Sequence, residues 1–355
     1  MAKFTCPICL DKYSFKKIKY VCPECGMEAV PKMLECEPIK CKTPNEQGLA
    51  TIRVCPTCHG DIPHIALKTP HLPISITGTS GSGKTNYIAM MLHELLNAPM
   101  RLAFGSATNE TRDWQRTNER FLFGDIVPDF AMPGITIPLI WYIKNLVKKR
   151  LFKKGVLAYR FTIFDFIDKD CEMGKKILLR YICDSKYIIL TIDVLSLKGA
   201  RKHTATNCWD NAKEKDAFET IMDLIRFVRA ANNLKPGKML SFHFAIVLTK
   251  FDTMLQNKNF DFSSLVKKST PSISNGRIDL AEINQVSKEI CDWLQKIGES
   301  RIINAIAANC SMFKFFAVSN FSVALTEDGT AVQKIQSHRV LDPMLWLFKL
   351  KKFVD

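Results

Sequence analysis

Two sets of residues in this chain have types and spacings that could do chemistry. The first is Gly78, Gly83, Lys84 and Thr85, at the spacing G-x-x-x-x-G-K-T. Gly81, with Ser80 and Ser82 around it, lets successive backbone N–H groups turn toward a phosphate chain. A helix N-terminus behind the loop would add partial positive charge. In that arrangement Lys84 reaches the β- and γ-phosphates, and the Thr85 hydroxyl completes a Mg²⁺ shell. The spacing predicts a nucleoside-triphosphate site, with Lys84 and Thr85 stabilising charge if hydrolysis occurs.

The second set is cysteine. Cys6-Pro7-Ile8-Cys9, Cys22-Pro23-Glu24-Cys25 and Cys55-Pro56-Thr57-Cys58 are C-P-x-C knuckles, and Cys36 and Cys41 stand between the second and third. A two-residue spacer lets both thiolates meet one ion at about 2.3 Å, and eight cysteines suffice for two tetrahedral Cys₄ zinc sites. Sequential pairing would give one ion Cys6, Cys9, Cys22 and Cys25, and the other Cys36, Cys41, Cys55 and Cys58. It closes the shorter loops and is preferred here over a cross-braced exchange of the middle pairs. His59 and His64 then have no vacancy to fill. With every position protein-filled, such zinc is structural, and residues 1–62 have little core without it.

These sets need elements to hold them. Ile74–Thr77 reads as a buried strand ahead of the glycine loop, and Ile88, Met91, Leu92, Leu95 and Leu96 recur at helical spacing behind it. Residues 63–73, with Pro63, Pro70 and Pro73, read as a linker, leaving 74–355 for the nucleotide-binding domain. Arg101–Gly105 reads as a strand. Residues 106–140 lack a clean period, and Lys144, Lys148, Lys149, Arg150, Lys153 and Lys154 read as a basic helix face. Leu157–Asp165 is a strand ending in an acid that could hold the Mg²⁺ shell. Lys186–Asp193 is another; there a turn-forming role for Asp193 is preferred, with the Mg²⁺-holding role as rival. Helical stretches near 174–184, 211–232, 281–298 and 337–352 separate the strands. The alternation predicts an α/β fold, a doubly wound and mostly parallel sheet with ligands at the strand C-termini, plus a small zinc-ribbon-like module.

Phe244–Asp252 carries the base-reading expectation. A buried strand ends in Thr249-Lys250-Phe251-Asp252, a variant of the guanine-reading Asn-Lys-x-Asp. A carboxylate there accepts from guanine N1–H and the 2-amino group. Adenine lacks both donors and would leave the acid unpaired. The stem of Lys250 would lie along the base plane. Phe315–Asn320 reads as a last strand followed by Ser319-Asn320, suited to a backbone contact with the guanine carbonyl.

These residues carry a family likeness. The chain resembles the translation-factor-related (TRAFAC) clade of P-loop GTPases. Within it, the chain is similar to the bacterial double-GTPase family of type two, over roughly residues 72–350. Besides the phosphate loop and Leu248–Asp252, the strings are Arg180-Tyr181-Ile182, Tyr187–Leu197 and Arg339-Val340-Leu341-Asp342-Pro343-Met344-Leu345-Trp346-Leu347. The resemblance implies GTP/GDP and Mg²⁺ as ligands and a threonine in the irregular insert closing on the metal. Thr136 is the candidate, with Thr108, Thr111 and Thr117 as rivals. It also implies a prokaryotic defence setting. One departure stands out: the clade's Asp-x-x-Gly is here Asp165-Phe166-Ile167-Asp168. An acid beside a triphosphate repels it, so binding is better supported than turnover. A slow, a partner-activated and an inactive GTPase all stay open.

Composition narrows the rest. Thirteen cysteines without an apolar leader at Met1–Cys6 suit a reducing, cytoplasmic compartment, and no stretch is apolar enough for a transmembrane helix. A net charge of +15 favours anionic partners, nucleic acid among them. The leading expectation is a guanine-nucleotide switch whose zinc module or mobile loops dock a protein partner. The alternatives are an ATP-dependent protein acting on nucleic acid, with Asp193 on Mg²⁺, and a scaffold that binds nucleotide without hydrolysing it. Two filled Cys₄ sites predict about two zinc ions per chain by elemental analysis; markedly fewer would rule out two filled sites.

Overall fold

The computed structural model describes residues 3–29, 39–40, 49–79, 81–123, 138–149, 156–165, 171–204, 216–320 and 337–354. The principal elements are β1 (Ile74–Gly78), α1 (Lys84–Asn97), β2 (Leu102–Ser106), α2 (Asn109–Phe123), β3 (Pro138–Lys149), β4 (Val156–Phe164) and α3 (Glu172–Cys183). They continue with β5 (Tyr187–Asp193), α4 (Ala217–Ala231), β6 (Leu240–Thr249), α5 (Leu280–Lys296), α6 (Ser300–Asn309), β7 (Cys310–Ala317) and α7 (Asp342–Leu350). The chain divides into two compact units. One takes residues 1–73, 102–114 and 132–184, the other 74–101, 115–131 and 185–355. The segments 102–114 and 132–184, expected with the nucleotide domain, cluster with the cysteine-rich residues. Among the described residues no helix is long and apolar enough to cross a membrane.

The second unit holds a four-stranded sheet in the order β7–β6–β5–β1, every neighbouring pair parallel. Every residue of β5 is buried, as expected of an inner parallel strand covered on both faces. Its register sets Tyr187 beside Ile74, Thr191 beside Gly78 and Asp193 beside Thr249. Helix α1 buries Tyr87, Ile88, Met90, Met91, Leu92 and Leu95. Asp216 caps α4 by accepting from the Phe218 amide, and Asp279 caps α5 by accepting from the Glu282 amide, both at 2.9 Å. Helices α5 and α6 pack on β7, and α7 on β6.

Behind β6, Phe251 meets Trp293 at 5.3 Å between ring centroids and Phe262 at 5.4 Å. The same edge is braced by a buried ion cluster. Arg339, 1 % exposed, donates to Glu282 at 2.8 Å and to the Ser272 hydroxyl at 2.7 Å, and pairs with Asp342 at 2.9 Å. Burial pushes the Asp342 carboxyl up, opposed by Arg339. The cluster fixes the backbone of His338, whose N–H donates to the Ser319 carbonyl at 2.8 Å while the Ser319 N–H donates back at 3.1 Å.

The first unit differs from the expected alternation. β2 and β4 lie in a separate antiparallel sheet, order β4–β3–β2. β3 contains Lys144, Lys148 and Lys149, so the stretch read as a basic helix is a strand where it is described. Lysines four apart satisfy strand alternation as well as helical spacing. What decides is the antiparallel pairing of β3 with β2 and β4, with Trp141 buried and stacked on Phe104 at 4.9 Å. Arg150, Lys153 and Lys154 lie outside the described residues. The insert expected to be irregular contains α2, whose first turn is tied by Thr111 N–H to Thr108 Oγ1 at 3.2 Å. Helix α6 was also unforeseen.

Arg339→Met would leave the buried Asp342 carboxylate without its cation, beside Glu282, which keeps its pair with Lys268. The expected loss is about 3–5 kcal/mol, seen as a lower urea midpoint; an unchanged midpoint would show the cluster to be dispensable.

Candidate functional site

In a parallel sheet all strands end at one edge. Gly78, Asp193, Thr249 and Ala317 close β1, β5, β6 and β7 there, and the loops beyond them carry most of the expected site residues.

The phosphate loop is held from below by hydroxyls. Ser82 Oγ donates to the Thr79 carbonyl at 2.8 Å and lies 3.0 Å from Thr191 Oγ1, which donates to the Thr77 carbonyl at 3.2 Å. Gly78 is required by this contact: a Cβ there would fall 2.1 Å from Thr191 Oγ1. Gly81 and Gly83 take φ of +79° and +71°, a backbone that favours glycine. Gly83 caps α1 without a side chain, and Lys84 and Thr85 open that helix. Its first-turn N–H groups are therefore not capped by the N-cap residue. Ser80 lies outside the described residues.

Thr249 joins this loop to the end of β6. Its hydroxyl, fully buried, donates to the Ser82 carbonyl at 2.8 Å and lies 3.1 Å from the Ile192 carbonyl. One side chain thus touches the phosphate loop and the ends of β5 and β6. Lys250, at φ +56°, extends to Asp193 and donates to its Oδ2. The other oxygen, Asp193 Oδ1, accepts from the Leu195 amide at 2.9 Å. Both carboxylate oxygens of Asp193 are therefore occupied by protein, one in the turn role preferred from sequence.

The Asp252 amide donates to Ser319 Oγ at 2.7 Å, so the ends of β6 and β7 are stitched together. Burial pushes the Asp252 carboxyl above its usual range, with the Ser319 hydroxyl opposing. Sequence reading singled out neither Thr191, buried mid-strand between Leu190 and Ile192, nor the side chain of Asn320. A hydroxyl inside an otherwise apolar strand was the available signal for Thr191.

The remaining nucleotide candidates fall elsewhere. Asp165 follows β4 in the first unit. Thr111 is buried and accepts from the Ile140 amide at 2.9 Å, a structural role, and Thr108 bonds Thr111 at 2.8 Å. Thr117 is exposed on α2. Thr136 and Asp168 lie outside the described residues.

The cysteines assemble differently from the preferred pairing. Cys6, Cys9, Cys55 and Cys58 have sulfurs all within 4.8 Å of one another. This corrects the sequential expectation and is also not the cross-braced exchange: the first knuckle meets the last. Loop-closure cost grows only slowly, about 0.6 kcal/mol per doubling of length. The antiparallel pairing of Lys19–Val21 with Ile52–Val54 outweighs it by bringing the third knuckle back. The donor set fits a metal. Sulfurs about 2.3 Å from a tetrahedral zinc stand about 3.8 Å apart, against 3.8 Å for Cys9–Cys55 and 4.0 Å for Cys6–Cys58. Amides of Ile8 and Thr57 point at Cys6 and Cys55 sulfur, each at 3.4 Å. Packed this closely, the thiols hold protons unequally: bonding to Cys55 pushes Cys6 and Cys9 up, while bonding to Cys58 holds Cys55 down.

Cys22–Cys25 forms a third knuckle of the same build. Leu10, Gly26 and His59 all take left-handed φ, and each knuckle's first cysteine N–H donates five residues ahead. Cys36 and Cys41 lie outside the described residues. The first knuckle is clamped within its unit. Arg160, 1 % exposed on β4, donates to the Thr69 carbonyl at 3.1 Å and to the Thr5 carbonyl. Thr162 donates to the Pro7 carbonyl at 2.8 Å, and Arg180 on α3 to the Cys9 carbonyl at 3.1 Å.

No protein-family model and no curated protein matches this chain. Among solved structures it is similar to the Ski7 GTPase-like domain of S. cerevisiae. With GDP and inorganic phosphate bound, that domain is 13 % identical over 81 % of this chain and 52 % of its own, at a TM-score of 0.36. Bound to GTP, it is 14 % identical over 81 % and 51 %, at 0.35. A probable GTP-binding protein engB is 13 % identical over 70 % of this chain and 88 % of its own, at 0.23. The chain spans about half the length of the Ski7 chains. Likeness this distant carries no argument about activity.

Thr249→Val would leave the Ser82 carbonyl without its hydroxyl donor. The expected cost is about 1–3 kcal/mol, with faster amide exchange in residues 79–83. Unchanged exchange there would show that the hydroxyl does not hold the loop.

Proposed function

We propose that this chain is a guanine-nucleotide-binding protein whose phosphate loop and base-reading carboxylate form one pocket on the second unit. The carrying observation is the Thr249 hydroxyl on the Ser82 carbonyl, at 2.8 Å. It puts the strand that leads to Asp252 against the loop that leads to Lys84. With β5 alone between β1 and β6, their axes are about 10 Å apart, a span one nucleotide bridges.

The roles follow from chemistry. Gly78–Gly83 amides and Lys84 would hold the phosphates, and Asp252 would accept from guanine N1–H and the 2-amino group. Mg²⁺ would be held through Thr85 and would neutralise phosphate charge. The occupied oxygens of Asp193 weigh against the ATP-dependent alternative, which needs that carboxylate on the metal. Within the TRAFAC clade, the string Arg339–Leu347 supports membership of the type-two double-GTPase family, and with it a defence setting.

Cys6, Cys9, Cys55 and Cys58 would hold one structural zinc, and the Cys22–Cys25 knuckle, with Cys36 and Cys41, a second. The zinc module is the proposed docking surface for a protein partner, and residues 1–62, 63–73 and 74–355 the proposed module, linker and domain. Hydrolysis is not part of the proposal, because Asp168 replaces the glycine of the sensing loop.

Competition between GTP and ATP for the full chain tests this reading. GTP should bind selectively, and Asp252→Asn should weaken it about tenfold or more. GTP affinity should also fall as pH drops, because the raised Asp252 carboxyl protonates and stops accepting. Preference for ATP, or indifference to Asp252→Asn, would overturn the reading.

A further inference from the structure

Thr249 stands where the guanine-reading motif has asparagine, and its single O–H is already directed at backbone carbonyls of Ser82 and Ile192. Nothing from that position is left to donate to a base. An amide does stand nearby. Asn320, in the turn after β7, is 7 % exposed, and its Oδ1 is buried without a hydrogen-bond partner among the described residues. Its Nδ2 faces the phosphate loop: it would lie 3.8 Å from a Cβ placed on Gly83, and Thr249 Oγ1 would lie 4.0 Å from the same point. The carboxamide, the hydroxyl and the last loop glycine converge on one spot. The orphaned Oδ1 shows that no protein bond among the described residues fixes the carboxamide, so the side chain is free to present Nδ2, the end that faces the loop, to a ligand.

The geometry points to Asn320 as a specificity-determining residue of this pocket. Its side-chain amide donates to the O6/N7 edge of guanine, which the engaged Thr249 hydroxyl cannot serve. The inference rests on the guanine reading above and extends it. Guanine presents two acceptors on that edge, O6 and N7, which suit Nδ2. Adenine presents N7 beside a 6-amino donor, so an Nδ2 aimed at O6 would meet N–H. Asn320 and Asp252 would then grip neighbouring edges of one base from adjacent strand ends, joined through the Asp252–Ser319 bond.

The experiment is a binding titration of the full chain with GTP and 7-deaza-GTP, for wild type, Asn320→Ala, the near-isosteric Asn320→Asp and Asp252→Asn. Asn320→Ala should weaken GTP roughly tenfold, and Asn320→Asp, which puts a carboxylate against two acceptors, should weaken it more. Removing N7 should cost the wild type affinity and cost Asn320→Ala nothing further. Variants that bind GTP within twofold of wild type would overturn the inference. If Asp252→Asn alone weakens GTP, the guanine reading survives and only the role of Asn320 falls. If neither position matters, both fall. Should the Asn320 variants not fold, the nucleotide side reads the same contact. Wild type must then bind 7-deaza-GTP and 6-thio-GTP more weakly than GTP, and equal affinity for all three would overturn the role of Asn320.

Discussion

One buried hydroxyl decides how the second unit can work. Thr249 ties the end of β6 to the loop that follows β1, across the fully buried β5. Backbone carbonyls at strand ends must find donors or stay wet. Here the donor comes from a side chain, so the loop's shape depends on the neighbouring strand's register. Thr191 does the same from β5, reaching Ser82 and Thr77. The Cβ-free Gly78 is what allows that approach. The loop after β1 is thus tied at Ser82 to the packed strands beneath it.

The ends of β6 and β7 are held for a different reason. Arg339, Asp342, Glu282 and Ser272 form an ion and hydrogen-bond cluster out of water. Such clusters add little net stability over apolar packing, but their geometry is exacting. This one sets the backbone at His338, which pairs with Ser319, which receives the Asp252 amide. The string Arg339–Leu347 thus matters as a brace for the ends of β6 and β7, with Asp342 opening α7 and Arg339 at φ +50° turning the chain into it.

In the first unit the same economy of buried donors recurs. Arg160, Thr162 and Arg180 supply N–H and O–H groups to the carbonyls of Thr5, Pro7 and Cys9. Desolvation lowers the Arg160 guanidinium to about 10. The adjacent His71, buried against Arg160, is held neutral with its pKa lowered to about 3. The knuckle loops turn sharply and expose carbonyls as they do so. β4 and α3 satisfy those carbonyls, so the cysteine knuckle is part of the unit's core and not an attached ornament.

Local chemistry made much of this legible. G-x-x-x-x-G-K-T, C-P-x-C and the β-branched runs at 74–77, 187–193 and 244–249 need only their own residues to specify a loop, a knuckle or an inner strand. They appear where spacing put them. What the chain alone could not decide was anything set by a partner distant in sequence. The preference for Cys22 and Cys25 beside Cys6 and Cys9 counted loop length and could not count the pairing of Lys19–Val21 with Ile52–Val54. Lysines at 144 and 148 suit helix and strand alike, until Trp141 stacks on Phe104 and settles the matter. The amide of Asn320 acquires meaning only when β7 sets it beside Gly83. Motifs are short-range and survive in the sequence; register, metal pairing and the convergence of strand ends are long-range, and only the packed sheet creates them.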